Sequence, residues 1–231
     1  MKPLTPKIKG RKPRVAILYH YMYPDDVVSA LHLDGLAEDL SLMGWDVEAL
    51  PCNRGCRNEK QRFASSEIHN GVRYNRVWRP QFTQKSFSGR LLNSLWMILA
   101  WSKLGMRSAK RRPDIIVIGT DPIFAVAAAI PLKYLLSKTK IAHWCFHLHP
   151  EAAFASGIVS QSSLVARAVR TVMRASYNRC SIIMDLGPCM QRLLRGYNHK
   201  AASKELTPWA LIEPRGRVEP DLTTRQNLFG N

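Results

Sequence analysis

No glycine occurs between Tyr19 and Ala30, the stretch that follows the first apolar run of the chain. A turn that cradles a dinucleotide pyrophosphate needs glycines so that the backbone can come close, and the glycine-rich loop of the nucleoside triphosphatases is also missing from the sequence. Both absences argue against a Rossmann dehydrogenase and a P-loop enzyme. Long apolar runs are lacking too. Leu91–Met106 is broken by Asn93, Ser94 and Lys103, and Ile123–Leu136 by Pro131 and Lys133. Neither supplies the ~20 uninterrupted apolar residues that a spanning helix needs. The basic start, which has Lys2, Lys7, Lys9, Arg11, Lys12 and Arg14 but no acid, is not followed by the apolar segment of a secretory signal.

Acid is scarce. Lys and Arg number 34 against 17 Asp and Glu, for a net charge of +17 and an isoelectric point near 10.1. Such a field favours anionic partners, whether nucleic acid, acidic lipid headgroups or phosphate-bearing substrates. The tryptophans Trp78, Trp96, Trp101, Trp144 and Trp209 are scattered. They do not form the basic and aromatic stripe of single-strand readers, so charge is the only feature that favours nucleic acid. Five cysteines without paired spacing point to reduced thiols and a cytoplasmic setting. Cys52 and Cys56 have no second Cys or His pair at finger-like spacing and read as two loop thiols rather than a metal site.

What is present has the pattern of an α/β protein. The chain of 231 residues is long enough to bury a substantial core. Arg14–Tyr19 is a near-continuous apolar run, as a parallel strand buried on both faces would be. Leu33, Leu36, Ala37, Leu40 and Met43 recur at helical spacing, with Gly44 placed to end the helix. Asp46–Leu50 reads as a second strand. Residues 51–90 are an insertion with a hairpin at Asn70-Gly71. Beyond it the alternation resumes, with a helix over Leu91–Met106, a strand over Asp114–Ile118, and a helix over Ile123–Leu136. A strand over Lys140–Phe146, a helix over Leu164–Tyr177 and a strand over Ser181–Met184 follow. A short helix over Cys189–Gly196 and a last strand around Glu205–Ile212 complete the pattern. This alternation predicts a doubly wound, mostly parallel sheet. Residues 1–13 read as a basic flexible leader, 14–214 as the folded domain and 215–231 as a polar linker.

In an open parallel sheet, ligands bind beyond the carboxyl ends of the strands. Those ends carry His20–Asp26, Gly119–Pro122, His147–Glu151 and Asp185–Pro188. The candidates for hydrogen-bonding a polar substrate are Asp25, Asp26, Asp121 and Glu151, and the candidate bases are His147 and His149. Asp25, Asp26 and Asp121 could equally cap helices, and Glu151 could be a first-turn acid. His143, Cys145, His147 and His149 alternate and would share one face if the strand ran on, although Pro150 argues that it does not.

Several of these segments resemble the N-terminal domain of family 4 glycosyltransferases. Arg14–Pro24 followed by Asp25–Ala30 is similar to the family's first strand and acceptor loop. Leu36-Ala37-Glu38-Asp39-Leu40 with Gly44-Trp45-Asp46-Val47 resembles "LAxxLxxxGHxV". Cys145–Glu151 resembles the "HDLWPE" region, with Phe146 at the family's His and His147 at its Asp. Thr207–Pro214 resembles "IPNGVD". The resemblance implies a Rossmann-like N-terminal half of a GT-B fold, and an enzyme that transfers a sugar, with retention and without a metal. The transfer would run from a nucleotide-sugar co-substrate to a polysaccharide or lipid-linked acceptor, with no bound cofactor. The family's donor-phosphate segment belongs to a second domain that this sequence does not contain, so activity of this chain alone is not expected. The alternatives are a non-catalytic subunit that pairs with a separate donor-domain chain, or a basic nucleic-acid-binding protein. The basic charge adds an anionic membrane surface as a partner, which places the protein at the inner face of the membrane.

Overall fold

The strand Arg14–Leu18 (β1) is central because its side chains are apolar on both sides. Val15 and Ile17 enter one core cluster, while Ala16 and Leu18 enter the other. The computed structural model describes residues 11–108, 111–157 and 159–211, with Thr223 and Gln226. Most of the expected leader, nearly all of the expected linker, and Lys110 lie outside these residues. Eight strands form one sheet in the order β3-β4-β2-β1-β5-β6-β7-β8. They are β1, β2 (Asp46–Ala49), β3 (Ser66–His69), β4 (Val72–Asn75), β5 (Ile115–Ile118), β6 (Lys140–Trp144), β7 (Ile182–Asp185) and β8 (Ala202–Glu205). All neighbours pair in parallel except β3 with β4. The fold is α/β and doubly wound, and the strand order reverses between β1 and β5.

Helix α1 (Val28–Leu42) covers one face, packing Ala30, Leu33 and Ala37 against Val15, Ile17, Val117 and Trp144. On the other face lie α2 (Phe87–Ser102), α3 (Ala129–Leu135), α5 (Leu164–Tyr177) and α6 (Pro188–Arg195). Their contacts with Ile116, Ile118, Ile141 and Ile183 form the larger cluster. The short helix α4 (His149–Ala155) follows β6 and packs on α5. Gly44 ends α1 in the left-handed region at φ 88°, the position its spacing predicts. Asn70 (φ 47°) and Gly71 (φ 78°) form the tight turn of the β3–β4 hairpin.

Three expectations change. The helix expected over Ile123–Leu136 is a 3₁₀ turn at Ala125–Ala128 leading into α3, because Phe124 adopts φ 61° and Pro131 can sit only in a first turn. The last strand lies at Ala202–Glu205 rather than Glu205–Ile212. Its residues, Ala202, Ser203, Lys204 and Glu205, are all exposed and none carries a large apolar side chain, so this edge strand leaves no apolar mark. The apolar Trp209 instead packs back on the sheet, with ring centroids 5.7 Å from Trp144 and 5.5 Å from His32. Helix α4 was not anticipated, although Pro150 and Glu151 are first-turn residues.

Residues 51–90 are tied to the sheet rather than appended to it. β4 adds a strand beside β2, and Trp101 of α2, fully buried, donates from Nε1 to the Leu50 carbonyl at 2.8 Å. Trp101→Phe keeps most of the apolar contact but leaves that carbonyl unpartnered, a cost of about 1–3 kcal/mol. Trp101→Ala opens a cavity and costs about 3–5 kcal/mol. Urea unfolding of both variants checks this order, and equal losses would show that the hydrogen bond contributes nothing.

Candidate active site

The loops after β1 and β5 meet at the point where the strand order reverses. Gly119 allows it, since a Cβ there would lie 2.3 Å from the Tyr19 ring. His20 N donates to the Asp121 carbonyl at 2.9 Å, and the His20 carbonyl accepts from Cys52 N at 2.8 Å. One residue thus joins the ends of β1, β2 and β5. Its side chain is buried, with Nδ1 3.2 Å from Asp121 Oδ2. Burial opposes a charged ring here, but Cys52 and Asp121 outweigh it and hold the His20 pKa up at about 9. Burial alone would raise the Cys52 thiol; His20 and Arg79 overcome this and bring it below its usual value. His20 Nε2, the three Arg79 side-chain nitrogens and Thr120 Oγ1 are buried without hydrogen-bond partners, so polar capacity is left over at this crevice.

The expected site residues divide into three groups. Asp121 lies between His20 and His149, the first residue of α4, and acts on both. Burial lowers the His149 pKa, Asp121 opposes that, and His147 and Arg90 reinforce it. The His147 and His149 rings are 6.2 Å apart, with His147 exposed in the loop and His149 half-buried against Phe124. These three side chains form one rim. Glu151 faces the other way, into a groove between α4, α5 and α6. There Oε1 accepts from the Tyr197 hydroxyl and Oε2 is buried without a partner.

Asp25 and Asp26 serve the inserted segment. Asp25 accepts from Cys56 N at 3.0 Å, and burial raises its pKa. Asp26 pairs with Arg57 at 3.0 Å, both side chains being exposed. Neither caps α1, whose N-cap is Val27 without a side-chain bond. Asp121 caps no helix either. His143 leaves the alternating set, because its ring is buried, its Nδ1 donates to the Ile118 carbonyl at 2.9 Å, and its pKa is pushed down to about 4 by burial. Among the described residues, no three His, Cys, Asp or Glu side chains converge as metal ligands.

Sequence reasoning missed the role of His20 and Cys52. The signal for His20 was its place directly after a buried strand, and nothing local marks Cys52. The linkage gives a test. A histidine whose pKa is raised on folding stabilises the fold fully below the unfolded value of 6.5 and loses that contribution as pH rises through about 9. The melting temperature of the protein should therefore fall from pH 6.5 to 9 more steeply than that of His20→Gln. Parallel profiles would show that the ring is neutral when folded.

The sequence over residues 29–208 matches the family model described as a glycosyl transferase 4-like domain. No curated protein matches the sequence significantly. Among solved structures, a sucrose-phosphate synthase from Thermosynechococcus elongatus superposes with a TM-score of 0.51 at 14% identity, over 86% of this chain and 90% of that one. An E. coli trehalose-6-phosphate protein bound with UDP-2-fluoro glucose gives a TM-score of 0.57 at 11% identity, over 94% of this chain and 55% of that one. At such identities the superpositions speak for the fold, a Rossmann-like half of the GT-B type, while the family match extends over most of the sheet and both rim loops. The chain belongs to the glycosyl transferase 4-like domain family.

Proposed function

We propose that this chain is the acceptor-side part of an enzyme that moves a sugar, with retention, from a nucleotide-sugar to a lipid-linked or polysaccharide acceptor. A donor-binding domain would face the rim and hold the nucleotide-sugar. The observation that carries the reading is the convergence of Asp121, His147 and His149 beyond β5 and β6, in a domain of this family. His149 is the base. Its lowered pKa keeps the imidazole neutral near pH 7, ready to take a proton from the attacking hydroxyl, and the Asp121 carboxylate beside it stabilises the imidazolium that forms. His147, exposed at the mouth, hydrogen-bonds the acceptor.

In the chain joined to a donor domain, His149→Ala should lower kcat by ~10²–10⁴. His147→Ala should mainly raise KM for the acceptor. The acid limb of the rate profile should lie below pH 6.5, the ordinary histidine value from which His149 is lowered. Unchanged kinetics in all three substitutions, Asp121→Asn included, would end this assignment.

The same enzyme would work at an anionic membrane surface. No helix among the described residues is long and apolar enough to cross a membrane. Helix α2 nevertheless exposes Leu92, Leu95, Trp96 and Leu99, and Met106 is 81% exposed just beyond it. Not one acid occurs between Glu67 and Asp114. An apolar ridge in a basic setting suits shallow insertion between anionic headgroups. Each basic residue near such a surface contributes ~1 kcal/mol, screened by salt. Co-sedimentation should occur with anionic but not neutral vesicles, and should weaken with salt and in a Leu95→Glu/Leu99→Glu variant. Binding indifferent to lipid charge and to salt would contradict it.

A further inference from the structure

The groove that holds Glu151 is not explained by the rim chemistry. It encloses about 950 Å³, at the top of the ~300–1,000 Å³ range of small-molecule sites. Leu148, Phe154, Met190 and Leu193 give it apolar walls. Arg170, Arg174 and Arg192 stand along it. Among the described residues, no carboxylate pairs with these three guanidinium groups, although Arg170 lies 5.0 Å from the Phe154 ring centroid. From Ala152 to Lys204 the one acid is Asp185, which is fully buried. The groove therefore combines an apolar lining with unpaired cations that can fork onto phosphate oxygens.

Its position relative to the rim is fixed by a single turn of chain. Leu148 lines the groove while its neighbours His147 and His149 stand on the rim, and Glu151 follows two residues later. Glu151 Oε1 is occupied by Tyr197, so Oε2 is the buried acceptor still without a donor. A sugar hydroxyl would satisfy it.

The geometry points to this groove as the seat of a lipid-phosphate acceptor. The arginines hold the phosphate, the apolar walls hold the first units of the chain, and Glu151 accepts a hydroxyl from the attached sugar. The inference deepens the glycosyl-transfer reading and rests on it, choosing the lipid-linked acceptor over the polysaccharide.

Calorimetric titration of the 231-residue chain with farnesyl monophosphate, held below its micellar concentration, tests the site. Farnesol and inorganic phosphate are the comparison ligands. Farnesyl monophosphate should bind at least about tenfold more tightly than either, the factor that ~1.4 kcal/mol of extra contact gives. An Arg174→Gln/Arg192→Gln variant should lose at least about tenfold of that affinity. Leu193→Asp should lose a similar factor. All three side chains are exposed, so melting temperatures should not move. Inorganic phosphate binding as well as farnesyl monophosphate would reveal a simple anion patch and overturn the proposal. So would farnesol binding equally well, unchanged affinity in the variants, or binding to anionic vesicles without any to farnesyl monophosphate. The transfer reading fails separately: it falls if farnesyl monophosphate binds as expected but the chain joined to a donor domain transfers no sugar. It survives if transfer occurs to an acceptor without a lipid phosphate.

Discussion

The site depends on the backbone of one residue, His20. Its N–H and carbonyl connect the ends of β5 and β2 to that of β1. These are the strands on either side of the point where the sheet reverses its winding. A crevice at that point exists because the connections after β1 and β5 leave in opposite directions. The His20 bridge extends the β1–β5 pairing beyond Leu18 and Ile118 into the two loops, where the Gly119 N–H to Leu18 carbonyl bond supports it. The imidazole adds to this. Buried beside the Asp121 carboxyl and the Cys52 thiol, it has its pKa raised to about 9 despite the cost of desolvation, while the thiol is drawn below its usual value.

The inserted residues 51–90 close the same crevice from one side. Cys56 N bonds Asp25, the Arg76 guanidinium reaches the Tyr23 carbonyl at 2.6 Å, and Gln84 Nε2 donates to the Tyr21 hydroxyl at 3.1 Å. The loop after β1 is thus held from both the sheet and the insertion. Asp34, in the middle of α1, fastens it from below. It accepts from Tyr23 N at 2.9 Å and from the Tyr74 hydroxyl at 2.9 Å, and its burial raises the carboxyl pKa to about 7. The loop lacks glycine, and its shape comes from these polar ties rather than from a tight glycine turn.

Much of the frame was legible in the sequence because burial on both faces leaves a mark. A run such as Arg14–Leu18 or Ile115–Ile118 can hardly be anything but an interior parallel strand. Asn70-Gly71 marks its hairpin because both residues accept positive φ. The edge strand β8 was not legible, since an exposed strand of Ala202, Ser203, Lys204 and Glu205 looks like a loop. For the site, strand-end position alone brought Asp121, His147 and His149 forward together. Pairing was beyond reach. His20 and Asp121 are 101 residues apart, and Cys52 is on a third strand's end. The capping alternative for Asp25 and Asp121 was locally sound, yet tertiary partners claimed both carboxylates, and the cap of α1 went unfilled. His143, which alternates with His147 and His149 by spacing, is held in the core by its bond to the Ile118 carbonyl.

The same competition for carboxylates explains where the net charge of +17 is felt. Every ion pair among the described residues lies between Arg11 and Asp121. In that region Asp46 serves both Arg14 and Arg73, and Glu48 is paired with Arg107. Pairs that solvent still reaches add little stability, but they neutralise the surface they occupy. Past Asp121 the described acids are Glu151, Asp185 and Glu205; Glu151 accepts from Tyr197 and Asp185 from Gly187 N at 3.0 Å. Among the described residues, the arginines of α5 and α6 are left without counter-charges, next to the apolar walls of the groove. A field arranged in this way does not act as a uniform basic coat. It would favour anions where α4, α5 and α6 meet, in the groove proposed for the acceptor phosphate.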